Sequence, residues 1–248
     1  MHRFYLPPEQ CAARSLALQG AEAHHAREVL RLERAARVVV LDGAGGEYTC
    51  EVLDENRHEV RLVCTGKRVA PPPEFQITLL QAVPRGKLFE AIIQKATELG
   101  VTRIVPIVSE RTTPRFESDP AGKTEKWRRV AIEAIKQCGC PWLPRVEMPV
   151  PLAEFLSRRE SVELGLVGSL QPGSRHAHTY FQDFRRRENR RPRSVAVWIG
   201  PEGDLTPDEI GAIQAAGYLP IDLGPLVLKV ETAAIYALAI INHELREP

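Results

Sequence analysis

The chain carries almost no net charge: 33 lysines and arginines stand against 32 aspartates and glutamates, a balance of +1. No global field is therefore available to hold a polyanion, and any nucleic-acid surface has to be a local face. Cysteine is sparse and odd in number, five in 248 residues without framework spacing, which argues against a disulfide scaffold and suits reduced thiols in a cytoplasm. Cys138-Gly-Cys140 is the only close pair. No second pair or matching histidine spacing completes a zinc site, so no metal is expected and the thiols read as structural. No apolar run reaches spanning length and the start shows no signal-peptide pattern, so the expectation is a soluble, cytoplasmic protein with no membrane partner. What is present, 44% hydrophobic residues, suffices for one large core or two smaller ones.

Residues 1–70 read mostly as short strands, at 37–41, 48–53 and 59–64, separated by turn signals that suggest a small barrel. One helix interrupts them at 23–33, with Ala26, Val29 and Leu30 on one face and Arg27, Arg31 and Arg34 on another. That basic face fits a solvated surface and a phosphate-contacting stripe equally well. His24 and His25 point apart on a helix and have no partner spacing, so packing or an RNA contact is expected of them rather than metal ligation. Val38-Val-Val-Leu-Asp-Gly-Ala-Gly-Gly46 imitates a Rossmann-type glycine loop. That motif needs a helix directly after the glycines, whereas Tyr48-Thr-Cys-Glu-Val-Leu53 alternates like a strand, so a hairpin turn is expected.

Pro71-Pro-Pro73 is a stiff, extended break and the expected boundary between domains at 1–70 and 74–248. Beyond it strand and helix alternate: a strand at 75–83, a helix with apolar positions Leu88, Phe89, Ile92, Ile93, Ala96 and Leu99 ended by Gly100, then a strand at 103–108. Pro106 predicts a bulge or an edge within that strand. Thr124 is positioned to cap a helix with apolar positions Trp127, Val130, Ala131, Ala134, Ile135 and Cys138, closed by Gly139. A strand at 163–167 leads into Gly168-Ser-Leu-Gln-Pro-Gly173. Arg185-Arg-Arg-Glu-Asn-Arg-Arg-Pro-Arg193 reads as a solvated loop or an added set of phosphate contacts. The fold class is therefore α/β.

The last third organises the rest. Ser194 to Ile199 is apolar on both faces, as a strand covered on both sides should be, and Gly200-Pro201 ends it. Thr206 and Glu209 form a capping box with Pro207 at the first helical position, and Gly217 ends that helix before a strand at 218–223. Gly224-Pro225 repeats the break, and Thr232 caps a final helix from Ala233. Strand, helix, strand with a short crossover is a parallel unit, whose ligands bind beyond the carboxyl ends of the strands. Two Gly-Pro loops facing one another make a ligand site built of loops.

Ile199-Gly-Pro-Glu-Gly203, Leu223-Gly-Pro225 and Glu231-Thr-Ala233 resemble the signature loops of the RsmE-type enzymes of the SPOUT superfamily. Earlier stretches agree in order: His25-Ala-Arg-Glu-Val-Leu-Arg31, Gln94-Lys-Ala-Thr-Glu-Leu-Gly-Val101, Ser109-Glu-Arg111 and Gln137-Cys-Gly139. The resemblance covers nearly the whole chain. It implies a methyltransferase that modifies N3 of a uridine in 16S ribosomal RNA of the small subunit with S-adenosylmethionine. It also implies a PUA-like RNA-binding barrel, a SPOUT domain with a C-terminal trefoil knot, and a homodimer joined through the knot region. The alternatives are a knotted RNA-binding protein that does not methylate and a SPOUT enzyme with another RNA target.

Carried onto this chain, the resemblance places the cofactor among Gly168, Ile199, Gly200, Pro201, Gly203, Leu223, Gly224, Leu228 and Thr232, largely through backbone groups. It makes Arg111, Glu202 and Glu231 catalytic candidates and Arg3, Arg27, Arg31 and Lys229 RNA-binding candidates. Glu231 also suits the positive end of the following helix, and Arg111 also suits a structural ion pair. Three positions depart from the family pattern: Asp204 stands where a second glycine is usual, and Leu226 and Lys229 where arginines are usual. Lysine keeps the charge but loses the planar fork of guanidinium, and leucine loses both.

Overall fold

The computed structural model describes residues 1–13, 15–56, 58–112 and 119–246. They fall into two units: Met1–Pro72 with Ile132–Leu143, and Pro73–Ala131 with the chain from Pro144 onward. The segment Ile132–Leu143, which a linear reading gives to the second half, thus belongs to the first unit.

In the first unit β1 (His2–Tyr5), β2 (Ser15–Gln19), β3 (Arg37–Leu41), β4 (Gly46–Glu55) and β5 (Glu59–Val69) form one sheet in the order β1-β3-β4-β5-β2. Strand periodicity decides its core. Val38 and Val40, Tyr48, Cys50 and Val52, and Val60 and Leu62 all turn onto a cluster with Phe4, Leu16 and Leu18. Between β3 and β4 the chain makes the expected hairpin, with Leu41 opposite Glu47. Asp42 Oδ1 accepts the N–H groups of Ala44 and Gly46 at 2.8 and 2.7 Å, while Gly43 and Gly45 take φ of 72° and 96°. No helix follows these glycines, so they form no Rossmann-type loop.

The helix expected at 23–33 is displaced. A short helix, α1 (Gly20–His24), widens into a single π turn over His25–Val29. The wider winding breaks the periodicity: Ala26 is buried, but Val29, expected beside it, is 61% exposed. Arg31 already has φ of 49°, outside any helix, so Arg27, Arg31 and Arg34 do not share a helical face. His25 stands edge-on to Phe4, a packing role.

The second unit contains β6 (Gln76–Ala82), α2 (Leu88–Glu98), β7 (Arg103–Val108), most of α3 (Pro120–Cys138), β8 (Arg145–Val146), β9 (Val150–Pro151) and α4 (Leu152–Ser157). It continues through β10 (Leu164–Gly168), β11 (Arg175–His176), α5 (Ala177–Glu188), β12 (Ser194–Ile199), α6 (Pro207–Ala215), β13 (Leu219–Asp222) and α7 (Val230–Arg246). All eight strands are parallel, in the order β11-β13-β10-β12-β6-β7-β8, with β9 also on β7. Trp198 sits in the middle, fully buried and edge-on to Phe155 and Tyr218. The α2 stripe of Phe89, Ile92, Ile93 and Ala96 is buried as its spacing predicts. The capping box at Thr206 and Glu209 is complete, with both reciprocal hydrogen bonds formed.

Pro106 lies at no bulge but at a local edge, because β7 is paired with β6 on one side while its other side is uncovered at this point. Thr102 and Ile104 turn their carbonyls to Arg145 and Glu147, so even-numbered residues of this strand address the β8 side. The neighbour is interrupted between β8, opposite residues 103–104, and β9, opposite 107–108. The missing N–H of Pro106 falls in that gap, where no acceptor is left waiting. Two expected caps also differ. α3 starts at Pro120, so Thr124 lies inside it and donates back to the Pro120 carbonyl at 2.8 Å; α7 starts at Val230, so Thr232 lies within its first turn. The arginine run is only partly a loop, since Arg185, Arg186 and Arg187 close α5. Among the described residues no helix is long and apolar enough to cross a membrane.

Candidate active site

Strands β13, β10 and β12 are neighbours in the sheet, and the loops leaving their carboxyl ends converge on one cleft of about 530 Å³. This is where a parallel sheet offers ligand space, because the chain must leave each strand there and its backbone is not yet committed to a helix. Gly168 ends β10, Ile199 ends β12, and Gly200, Pro201, Leu223, Gly224 and Leu228 complete a lining largely of backbone and aliphatic side chains. Glu202, Asp204, Glu231 and Lys229 are the charged groups at its wall. A side chain on Gly168 would come within 3.3 Å of Ile199 Cδ1, and Gly224 has φ of +109°, so both glycines answer to local geometry.

Two residues assigned to the cofactor lie off this lining. Gly203 is turned to Arg111, whose Nη1 donates to its carbonyl at 2.6 Å. Thr232 is exposed on α7 and caps nothing. Arg111 is exposed and likewise off this lining. It sits on a turn after β7 in which Thr112 Oγ1 accepts the Ser109 N–H at 3.0 Å and the Glu110 N–H donates to Glu209 Oε1 at 2.8 Å. Glu202 both faces the cleft and accepts the Arg85 N–H at 2.8 Å, tying the loop after β6 to the loop after β12.

The three departures have distinct consequences. Asp204 takes φ of 59°, a conformation aspartate tolerates better than most residues, and its Oδ1 accepts the Leu205 N–H at 2.8 Å. The turn a glycine would make is thus kept. Leu226 is 73% exposed at the cleft, beside Val227 at 80%, so it packs nothing in this chain. Lys229 is exposed at the same wall.

Of the basic candidates in the first unit, Arg3 donates Nη1 to the carbonyls of Lys136 and Gln137 at 3.3 and 3.2 Å, where it caps the end of α3. Arg27 donates to the Asn56 carbonyl at 2.9 Å and pairs with Glu28. Arg31 is exposed, and among the described residues no acidic group pairs with it. The run at 185–193 is also structurally engaged: Arg190 grips Glu163 with both Nη atoms, while Arg185 and Arg191 donate to the Glu244 and Leu245 carbonyls.

Sequence reading missed Gln81. This side chain is fully buried at the end of β6, opposite Ile199 in the register, and its Nε2 donates to the carbonyls of Ala82, Ile199 and Gly200 at 2.9, 3.3 and 3.4 Å. A glutamine beside the apolar Leu79-Leu80 pair, near the end of the strand, was the available signal. Leu88, Ser169 and Leu170 were also missed as cleft residues.

Residues 71–242 match the family model of an RNA methyltransferase domain, and residues 18–63 that of an RNA methyltransferase PUA domain. The chain is 32% identical to a ribosomal RNA small subunit methyltransferase E from Synechocystis sp. over 97% of its length and 77% of the relative's. It is 31% identical to the protein of that name from Aquifex aeolicus over 98% and 100% of the two chains. Among solved structures, a ribosomal RNA small subunit methyltransferase E from Neisseria gonorrhoeae, bound to S-adenosylmethionine, superposes with a TM-score of 0.83 at 27% identity, covering 97% of this chain and 96% of that one.

Proposed function

The chain belongs to the RNA methyltransferase family, in the group of the small-subunit enzymes E, and from that premise we propose that it methylates N3 of a uridine in 16S ribosomal RNA with S-adenosylmethionine. One observation carries the reading: three loops from adjacent parallel strands enclose a single cleft that is backbone-rich, aliphatic and edged by carboxylates.

The residues fit the cofactor. Gly224 leaves open space beside the main chain, Gly168 and Gly200 add backbone to the lining, Ile199, Leu223 and Leu228 offer apolar cover, and Glu202 and Glu231 suit a cationic sulfonium. When bound, S-adenosylmethionine supplies an electrophilic methyl group. The protein's share is to hold the uridine N3 in line with it and to take the N3 proton, a task for positioning and local charge rather than for a covalent nucleophile. Glu202 and Glu231 are the acceptors for that proton. Arg111 acts one step back, by fixing Gly203 and the loop that bears Glu202.

For RNA we assign Lys229 and Arg31 as contacts, and the PUA-type first unit as a binding module. Arg3 and Arg27 leave the list because their guanidiniums are engaged within the unit. The trefoil knot around the C-terminal loops and a homodimer through that region belong to the same reading. Leu170 and Val227, exposed apolar residues on the cleft rim, suit burial by a second copy. A cytoplasmic location accords with a ribosomal substrate. Mass mapping of small-subunit RNA from a strain lacking the protein tests the function: a uridine should lose one methyl group and regain it when the native gene returns. An unchanged map overturns the reading.

A further inference from the structure

Gln81 is a buried polar side chain that the chemistry above leaves without a task. Its amide orientation is fixed by its surroundings: three carbonyl oxygens face Nε2, and the opposite flip would set Oε1 against them. That choice leaves Oε1 buried without a hydrogen-bond partner. An isolated buried acceptor is unfavourable and calls for a compensating role.

The compensation lies in the two peptides it grips. The Ile199 and Gly200 carbonyls both turn to Gln81, and both residues line the cleft. In a planar trans peptide the N–H points opposite to the carbonyl, so the Gly200 N–H is turned away from Gln81. The next peptide ends in Pro201 and has no N–H, so its only polar group is the carbonyl that Gln81 takes.

We infer that Gln81 is a positioning residue for the cofactor: by holding the Ile199 and Gly200 carbonyls on its own side it presents the Gly200 N–H to the ligand in the cleft. This rests on the reading of the cleft as the S-adenosylmethionine site. Preset donors bind without reorganising when the ligand arrives, which is where their advantage lies.

Calorimetry with S-adenosylmethionine tests the inference on the native protein, Gln81→Met and Gln81→Glu. Gln81→Met keeps the length and loses the donor; when folded, by its circular dichroism and melting transition, it should bind roughly tenfold or more weakly. Gln81→Glu keeps the shape. Its neutral carboxyl donates its single O–H to one of the carbonyls and its ionised form repels both, so its affinity relative to native should rise several-fold as pH falls from about 8 to about 6. A purely structural glutamine would lower the melting temperature without that pH dependence. Should Gln81→Met fail to fold, the pH profile of Gln81→Glu decides. A native protein that binds while the folded variant binds equally tightly, or a flat Gln81→Glu profile, overturns the role of Gln81 alone. A native protein that does not bind S-adenosylmethionine overturns the reading of the cleft and this inference with it.

Discussion

Arg111 and Gly203 lie 92 residues apart, and Nη1 of the first donates to the carbonyl oxygen of the second at 2.6 Å. The arginine stem also lies against the glycine, since a side chain there would come within 3.3 Å of Arg111 Cδ. Arg111 is therefore a strut for the loop after β12. Arg111→Ala should weaken S-adenosylmethionine binding several-fold, in line with about 1 kcal/mol for one such hydrogen bond, with Arg111→Lys intermediate. Titration calorimetry beside single-turnover rates checks this. A lower rate with unchanged cofactor affinity would instead place the guanidinium on the reacting atoms.

Two glycines with positive φ should respond differently. Gly224, at +109°, has open space around it but a backbone conformation that valine resists, so Gly224→Val should reduce cofactor affinity by roughly tenfold or more. In Gly45→Ala the new Cβ would lie 2.5 Å from Trp142 Cζ2, on top of φ of +96°. That variant should melt at lower temperature, with a loss of about 1–3 kcal/mol from overpacking, while cofactor affinity is kept. Thermal denaturation and calorimetry on both variants separate the effects; loss of cofactor binding in Gly45→Ala alone would contradict the placement of the site.

Much of this frame was legible beforehand. β12 runs Ser194–Ile199 as its apolar pattern predicts, the Thr206 capping box is formed, and Gly100, Gly139 and Gly217 all take positive φ at helix ends. Local chemistry decides such features, so sequence shows them. What stayed hidden depends on partners far along the chain. Arg3 looks like any basic residue until its acceptors, 133 and 134 positions away, appear at the end of α3. Gln81 acquires meaning only from carbonyls 118 and 119 positions away. The α5 helix escaped because arginines crowd its last turn, and the shift at α1 follows from a π turn that periodicity does not foresee.

The cleft rim gives a prediction about RNA. Leu226 is 73% exposed, so Leu226→Arg has nothing to unpack and should leave the melting temperature nearly unchanged. It should strengthen RNA binding and steepen the salt dependence by about one counterion, while Lys229→Ala weakens binding. Filter binding across a salt series measures both; an unaltered slope in Leu226→Arg would remove this loop from the RNA interface.

Acid stability has an identifiable contributor. The two hydrogen bonds from Arg190 to Glu163, joined by the Arg193 N–H, hold this carboxyl at about 2, against an ordinary 4.5. A depressed folded-state value stabilises the fold above the ordinary value, and the gain is lost as pH falls toward the folded one. Glu163→Gln should thus melt below native at neutral pH, with the gap narrowing under pH 4.5 and closing near 2. Because the pair is partly exposed, the gap should be modest and shrink with added salt. Melting temperatures across pH at two salt concentrations give the answer; a gap that widens in acid would contradict it.

The central claim is methyl transfer to uridine N3, and the product nucleoside tests it most directly. Small subunits lacking the modification would be incubated with the protein and S-adenosylmethionine carrying an isotopically labelled methyl group, then digested to nucleosides for chromatography and mass spectrometry. The account predicts label in 3-methyluridine alone, and less of it with Gly224→Val when the cofactor is kept below saturation. Label in any other nucleoside, or no label from a protein that binds the cofactor, would contradict it.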